Sequence, residues 1–446
     1  MTKRIANIVV GLGKTGFSCV RYLAAQGADF MVVDTRQQPP YLAQLKQQFP
    51  DVTVQLGELD AAVLSDAERL IMSPGLALDQ PAIQQAVASG THIGSDIDLF
   101  CEAVNAPIVA ITGSNAKSTV TTLVGLMAEK AGKSVGVGGN LGTPVLELLA
   151  DGEQDLYVLE LSSFQLELTE LLTAEVATIL NISPDHMDRY ADFEAYQDAK
   201  RRVFNGCRQI IVNQDEDLLP APEGNAKLWH YSITDKAQSA NDLGLAEYDD
   251  QSWLMQGEQR LMPVDDVKIK GLHNSSNALA ALALGLAVDL PMDAMLQTLR
   301  EFSGLAHRCQ WITQKDGVDF YNDSKGTNVG ATVAALNGLG PLHQKGIVLI
   351  AGGDGKGADF DDLHQPVWDF CSHLVLLGKD AQRLQDALSE EVPVSRVSSM
   401  EEAVQVAAQQ AKADDAVLLS PACASLDMFA NFEARGDAFV NAAEAL

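Results

Sequence analysis

The segment PIVAITGSNAKSTVTTL, residues 107–123, decides the architecture. The apolar, β-branched run from Pro107 to Ile111 reads as a buried strand. It breaks at Gly113 and restarts as a helix from about Lys117. Strand, tight turn and helix in that order make a phosphate loop. Backbone N–H groups of Gly113, Ser114, Asn115 and Ala116 can cradle phosphate oxygens, and Lys117 can meet the β and γ oxygens. The Ser118 hydroxyl can ligate Mg²⁺, with Thr119 beside it. The pattern departs from GxxxxGK[ST] twice, with Ile111 and Ala116 in the two glycine positions. If position 116 needs a positive φ, alanine costs on the order of 1 kcal/mol there. The competing reading is an ordinary helix start with a solvated lysine.

Outward from this segment, β-branched runs alternate with helical patterns, the signature of α/β domains with mainly parallel sheets. Upstream, a strand over residues 5–10 runs into Gly11-Leu-Gly13-Lys-Thr-Gly16 and a helix. The next strand, residues 30–33, ends at Asp34. This order matches the dinucleotide fingerprint, whose glycines allow close backbone approach to a phosphate at a helix N-terminus. Alone it suggests a nicotinamide-dependent dehydrogenase, or merely a structural turn. Arg36, two residues past the acid, could also meet a phosphate.

Further strands are expected at 156–159, 177–180, 318–321, 347–350, 374–377 and 416–419, with a turn at Ser73–Gly75. Residues 218–268 read as an irregular, β-containing stretch, and an alanine-rich helix is expected after His273–Asn277. The expected fold is α/β in three domains. These are a Rossmann-like 1–95, a central P-loop-type ATPase domain with a parallel sheet over 96–304, and a Rossmann-like 305–446.

The chain has 446 residues with 31 Lys+Arg against 60 Asp+Glu, a net charge of −29, which argues against nucleic-acid or anionic-membrane partners. Hydrophobic residues make up 47%, which excludes a largely disordered chain. The six cysteines form no CxxC pair, so neither a zinc site nor a disulfide framework is expected. No signal-peptide core and no apolar run of membrane-spanning length are seen, which points to the cytoplasm.

Two side chains stand where open α/β sheets bind ligands. Glu160 ends a strand, and His186 follows another strand in an Asp-rich turn with Asp185 and Asp188. A carboxylate and an imidazole near a P-loop serine suit a Mg²⁺ site bridging ATP and substrate. The bland alternatives are a solvated strand end, a core histidine and helix-start acids. Lys200, in EAYQDAKRRVF, reads by composition as part of a solvated helix face.

Taken together the motifs resemble the Mur ligase family over nearly the whole chain. Those that carry the likeness are GLGKTG (11–16), DTR (34–36), SPGLAL (73–78), AITGSNAKSTVTTLVG (110–125), GVGGN (136–140) and LELSSFQLE (159–167). DHMDRY (185–190), HNSSNALAALAL (273–284), NDSKGTN (322–328), GGDGKGADF (352–360) and LLSPACASLDMFANFEARG (418–436) follow in the same order. The resemblance implies an ATP-dependent acid–amino-acid ligase of cytoplasmic peptidoglycan precursor synthesis, working as a monomer. It would join D-glutamate to UDP-N-acetylmuramoyl-L-alanine through an acyl phosphate.

It also implies roles. Lys117, Glu160, His186 and Lys200 would be catalytic, with Lys200 carbamylated. Ser118, Glu160, His186 and Lys200 would hold Mg²⁺, two ions in all. Asn274 would contact adenine, Arg308 the γ-phosphate and Asp323 the ribose. Thr15, Asp34, Thr35, Arg36 and Gly75 would hold UDP, so the first glycine turn would grip UDP rather than NAD. Asn140, Gln165 and His186 would face the muramoyl-alanine end, and Ser73 and Ser162 would also bind substrate. Lys325 would bring the third domain onto the nucleotide, and Thr327, Lys356, Ser425 and Phe432 would hold D-glutamate. The chain departs from the family pattern at Ala306, Gln310 and Gly326 as well as Ala116. A sister ligase for another amino acid and a non-catalytic nucleotide-binding module are the remaining alternatives.

Overall fold

The run Ile5–Val10 buries Ile8, Val9 and Val10 completely, because a parallel strand covered on both faces needs apolar side chains on both. It is the middle of five parallel strands in the order Val54–Leu56, Phe30–Asp34, Ile5–Val10, Ala67–Met72, His92–Gly94. Helix Lys14–Ala25 leaves this strand through the glycine turn. A Cβ on Gly16 would lie 1.8 Å from the Gly11 carbonyl oxygen, so the helix sits against the turn only because that side chain is missing. The computed structural model describes residues 4–187, 189–216, 226–235, 237, 239–343, 346–390 and 392–446.

The second sheet has nine strands. Ile108–Thr112, buried throughout, lies between Leu156–Glu160 and Val176–Ile179, and all three run parallel. Val135–Gly139 closes one edge; Gln209–Asn213, Lys227–Tyr231 and Asp242–Tyr248 extend the other. Beyond them Gln251–Gln256 and Gln259–Pro263 turn antiparallel, so the described part of the stretch expected to be irregular holds an ordered meander, while 218–225 lie outside the described residues. Helix Lys117–Lys130 buries Val120, Leu123, Val124 and Met127 together with the small residues Thr121, Gly125 and Ala128, so it is covered on most of its faces. It packs with helix Leu272–Ala287. That helix corrects one expectation: Gly271, at φ 97, is the N-cap, so His273–Asn277 lies inside the first turns rather than ahead of them.

The third sheet has the order Gln310–Lys315, Val318–Asn322, Ala416–Leu419, Ile347–Gly352, Cys371–Leu377, Val394–Arg396. Only its first pair is antiparallel. The three sheets lie within residues 5–94, 108–263 and 310–419. No described helix is long and apolar enough to cross a membrane.

The first two sheets share one hydrophobic core, in which Val9, Phe17 and Val20 meet Ile97, Phe100, Tyr157 and Leu159. Helix Asp96–Ala103 forms the joint. Its N-cap Ser95 makes a reciprocal capping box with Asp98, whose other oxygen accepts from the N–H groups of Glu170 and Leu171. Asp96, beside it, is 1% exposed, and its Oδ1 has no partner among the described residues. Burial, with a smaller push from Asp98, raises its carboxyl to about 7. The folded chain therefore keeps this proton between the unfolded value of 3.8 and about 7, while the unfolded chain releases it. Stability is lost as pH rises through that window and stays lost above it. Asp96→Asn should thus stabilise the protein by on the order of 2 kcal/mol more at pH 8 than at pH 5, measured by urea unfolding.

Candidate active site

The phosphate-loop segment makes the turn its spacing foretells. Gly113 takes φ 154 and Ala116 takes φ 62, ψ −4, a left-handed conformation in a residue with a Cβ. Asn181 and Ser183 brace the loop: Asn181 Oδ1 accepts from the Asn115 N–H at 2.8 Å, and the Ser114 hydroxyl donates to the Ser183 carbonyl at 2.9 Å. Lys117 arcs back over its own turn and donates to the carbonyls of Gly113 at 2.9 Å and Ser114 at 3.0 Å. Burial lowers its ammonium pKa; Glu160 opposes that shift and Arg308 adds to it.

Ser118 is the hub. Its hydroxyl donates to Glu160 Oε2 at 2.6 Å and accepts from Arg308 Nη2 at 2.6 Å. Glu160 closes its strand at the carboxyl end of the second sheet, and its Oε1 accepts from Asn140 at 2.5 Å. Arg308 comes from the third-sheet region, which also sends Lys356 to Asp185 at 3.0 Å and Asn328 to Asp185 at 3.2 Å. Although burial works the other way, Lys356 and His186 hold the Asp185 carboxyl below the usual carboxylate range. His186 takes φ 58, places Nε2 3.6 Å from Asp185, and packs its ring 4.8 Å from that of Phe164. Asp188 lies outside the described residues.

Lys200 overturns the compositional reading of a solvated helix face. It is 2% exposed, donates to the Gly113 carbonyl at 2.8 Å and lies 4.7 Å over the Tyr196 ring. Burial, and then the neighbouring Lys117 charge, push its pKa well below the ordinary lysine value. Among the described residues no three His, Cys, Asp or Glu side chains gather into a metal cage. The donors at the hub are one carboxylate and one hydroxyl, with an imidazole on the neighbouring turn. A cation that keeps several waters and shares phosphate oxygens, as Mg²⁺ does, fits that set better than a fully caged metal.

Two concavities flank the hub. A cavity of about 580 Å³ is lined by Asn115, Ala116, Thr119, Asn274, Arg308, Asp323 and Lys325. Asp323 accepts from Ser420 at 2.8 Å and from the Cys309 N–H at 3.1 Å, and burial raises its carboxyl to about 6. Asn274 donates to the Lys270 carbonyl at 2.8 Å and accepts from Asn277. Tyr231 and Trp311 also line this cavity, and neither was singled out in the sequence.

A second concavity, about 780 Å³, lies along the joint of the first two sheets. Thr15, Asp34, Thr35, Arg36, Ser73, Gly75, Asn140, Ser162 and Gln165 all line it. Several already have partners. Asp34 accepts from the Leu12 N–H at 2.6 Å and takes Arg36 in a two-pronged pair at 2.9 and 2.7 Å. Ser162 and Gln165 cap helix Ser163–Leu168 reciprocally.

The residues expected to hold D-glutamate are more dispersed. Lys356 sits on Asp185, Thr327 donates its N–H to the Lys325 carbonyl at 2.8 Å, and Ser425 is buried. Phe432 opens helix Phe432–Glu444 with its ring 4.0 Å beneath the Lys325 ammonium. Arg435 in that helix went unassigned in the sequence although its motif was noticed. Buried to 2% exposure, it donates to the carbonyls of Ser324 at 2.7 Å and Cys423 at 3.0 Å, tying two site loops together.

A phosphate loop, a carboxylate sharing its serine, and a third α/β unit reaching over both define a nucleotide-using enzyme of three-part build. Three family descriptions match in register: "Mur ligase MurD-like, N-terminal domain" over 6–95, "Mur ligase middle domain" over 111–285, and "Mur ligase, glutamate ligase domain" over 307–423. The chain belongs to the Mur ligase family. It is 57% identical to the UDP-N-acetylmuramoylalanine--D-glutamate ligase of Pseudomonas putida, covering 98% of this chain and 97% of that one. Against the protein of the same name from Pseudomonas aeruginosa it is 58% identical, covering 98% of each. Among solved structures, MurF from Acinetobacter baumannii aligns with TM-score 0.63 at 16% identity, over 98% of this chain and 90% of that one. UDP-N-acetylmuramate-alanine ligase MurC from Thermotoga maritima aligns with TM-score 0.60 at 17% identity over 99% of each, a likeness of fold.

The left-handed Ala116 yields a test. Ala116→Gly should raise the unfolding free energy by up to about 1 kcal/mol, since relief of the Cβ clash outweighs the added unfolded-state entropy. Urea unfolding of both proteins checks this, and a destabilised variant would mean the turn carries no strain.

Proposed function

We propose that this chain joins D-glutamate to UDP-N-acetylmuramoyl-L-alanine at the expense of ATP, in cytoplasmic synthesis of peptidoglycan precursors. The observation that carries the reading is the Ser118 hydroxyl, shared at 2.6 Å by Glu160 of the second sheet and Arg308 from beyond it. Relatives at 57–58% identity with matching names favour D-glutamate over another amino acid.

In this reading the substrate's alanine carboxylate attacks the γ-phosphorus of ATP, giving ADP and an acyl phosphate. The D-glutamate amine then attacks the acyl carbon, and inorganic phosphate leaves from the tetrahedral intermediate. Both reactants of the first step are anions. Lys117 and Arg308 offset their repulsion, and closure of the third domain excludes water that would hydrolyse the acyl phosphate. Residues 1–95 hold UDP through Thr15, Asp34, Thr35, Arg36, Ser73 and Gly75. Residues 96–304 hold ATP through the loop 113–119 and Asn274 and direct Asn140, Ser162, Gln165 and His186 at the muramoyl-alanine end. Residues 305–446 add Arg308, Asp323 and Lys325 to the nucleotide and Thr327, Lys356, Ser425 and Phe432 to D-glutamate. Mg²⁺, which Ser118, Glu160, His186 and carbamylated Lys200 would hold, supplies charge neutralisation between phosphates and carboxylate. The enzyme acts as a monomer.

A buried, neutral-leaning amine is the form of lysine that reacts with carbon dioxide, which supports carbamylation of Lys200. Intact-mass spectra of bicarbonate-equilibrated active protein should show the added carbamate, and Lys200→Met should lack it. An unmodified Lys200 in active protein would remove the idea.

The division of labour has its own test. Lys117→Ala should lower kcat roughly 1,000-fold or more while leaving affinity for the UDP substrate within about threefold. Parallel loss of both, by phosphate-release assay and calorimetry, would contradict it.

A further inference from the structure

Lys14 is the second variable residue of the GLGKTG turn, and no role has yet been given to it. It is exposed, lines the 780 Å³ groove, and donates its ammonium across the domain joint to the Gly142 carbonyl at 2.5 Å. Gly142 belongs to the segment that carries Asn140, whose side chain holds Glu160.

The groove's charge balance picks out this residue. Among the described lining residues the Lys and Arg side chains are Lys14 and Arg36. Arg36 spends its guanidinium on Asp34, so that pair presents little net charge. Glu433, at the wall contributed by the third domain, adds a negative charge. The chain as a whole carries −29. A dianionic ligand entering here meets one cation whose recorded partner is a neutral carbonyl, and that is Lys14. A carbonyl is a weaker partner for an ammonium than a phosphate oxygen, so the exchange is downhill.

Resting on the nucleotide-sugar reading above, we propose that Lys14 is the cation that holds the diphosphate of the UDP-bearing substrate, releasing the Gly142 carbonyl as it does so. Its neighbour Thr15 and the backbone of the turn serve the rest of the UDP group. Lys14 thereby discriminates a nucleoside diphosphate from an uncharged nucleoside.

The test is calorimetric titration of UDP and of uridine into full-length protein whose ATP cavity is saturated with a non-hydrolysable ATP analogue. Wild type, Lys14→Met and Lys14→Arg are compared at two salt concentrations. Lys14→Met should weaken UDP about tenfold, leave uridine unchanged, and flatten the salt dependence of UDP binding. Lys14→Arg should stay within about threefold of wild type, because a guanidinium also pairs with phosphate. UDP binding unaffected by Lys14→Met overturns the assignment. Equal weakening of UDP and uridine also overturns it, since that marks a structural staple between domains. Wild type that binds neither probe overturns the nucleotide-sugar reading itself, and the assignment with it.

Discussion

The structure depends on crowding like charges at one point in a chain of opposite overall sign. Lys117, Arg308 and Lys325 gather around Glu160, and burial lowers the pKa of each, with a neighbouring cation lowering Lys117 and Lys325 further. Arg308 is the partial exception, lowered by burial while Glu160 and Asp323 pull the other way. Lys325 falls to about 8. Mutual repulsion of this kind costs folding free energy, and it is retained where it performs work on a ligand. A triphosphate and a carboxylate are the ligands that relieve it. The −29 background leaves the cluster as a local exception.

The sheets deliver these groups because each parallel strand ends on the same side of its sheet. Glu160 closes one strand, Gly113 follows another, and Asp34 closes a third in the neighbouring sheet. Arg308 precedes the third sheet's first strand, and Asp323 directly follows its second. The shared core around Phe100 and Tyr157 fixes the first two units relative to each other, whereas the third meets the second through polar contacts at Ser118 and Asp185 and through packing of helix Val329–His343 on helix Leu272–Ala287. Polar contacts of that sort can be exchanged for ligand contacts.

What was legible in the sequence was local. The 107–123 segment betrayed its strand, turn and helix because hydrophobic periodicity and turn chemistry change sharply within a few residues. The strands at 5–10 and 416–419 were bounded correctly for the same reason. What stayed hidden depends on tertiary neighbours. Lys200 is followed in the sequence by Arg201 and Arg202, and its burial follows from the loop and Tyr196 that cover it. Arg435 carries no local signal of its role, because the carbonyls it serves lie 111 and 12 residues away along the chain. The start of helix Leu272–Ala287 was misplaced because Asn and Ser favour caps, yet Gly271 with its positive φ outcompetes them. The strand Gln310–Lys315 went unseen because its side chains lack the apolar alternation of a half-buried strand.

Many side chains facing the two concavities are already engaged. Asp34 holds Arg36 and the glycine turn, Ser162 and Gln165 cap a helix, and Asn140 holds Glu160. A ligand entering such a site exchanges hydrogen bonds instead of making them from free groups, so each contact contributes modestly to affinity. In return the rotamers are set beforehand and little side-chain entropy is lost on binding. A reaction whose first step must align a carboxylate with a phosphorus gains more from that fixed geometry than from tight ground-state binding, because only interactions stronger in the transition state raise kcat. The prior engagement of these residues is therefore the physical form that preorganisation takes in this protein.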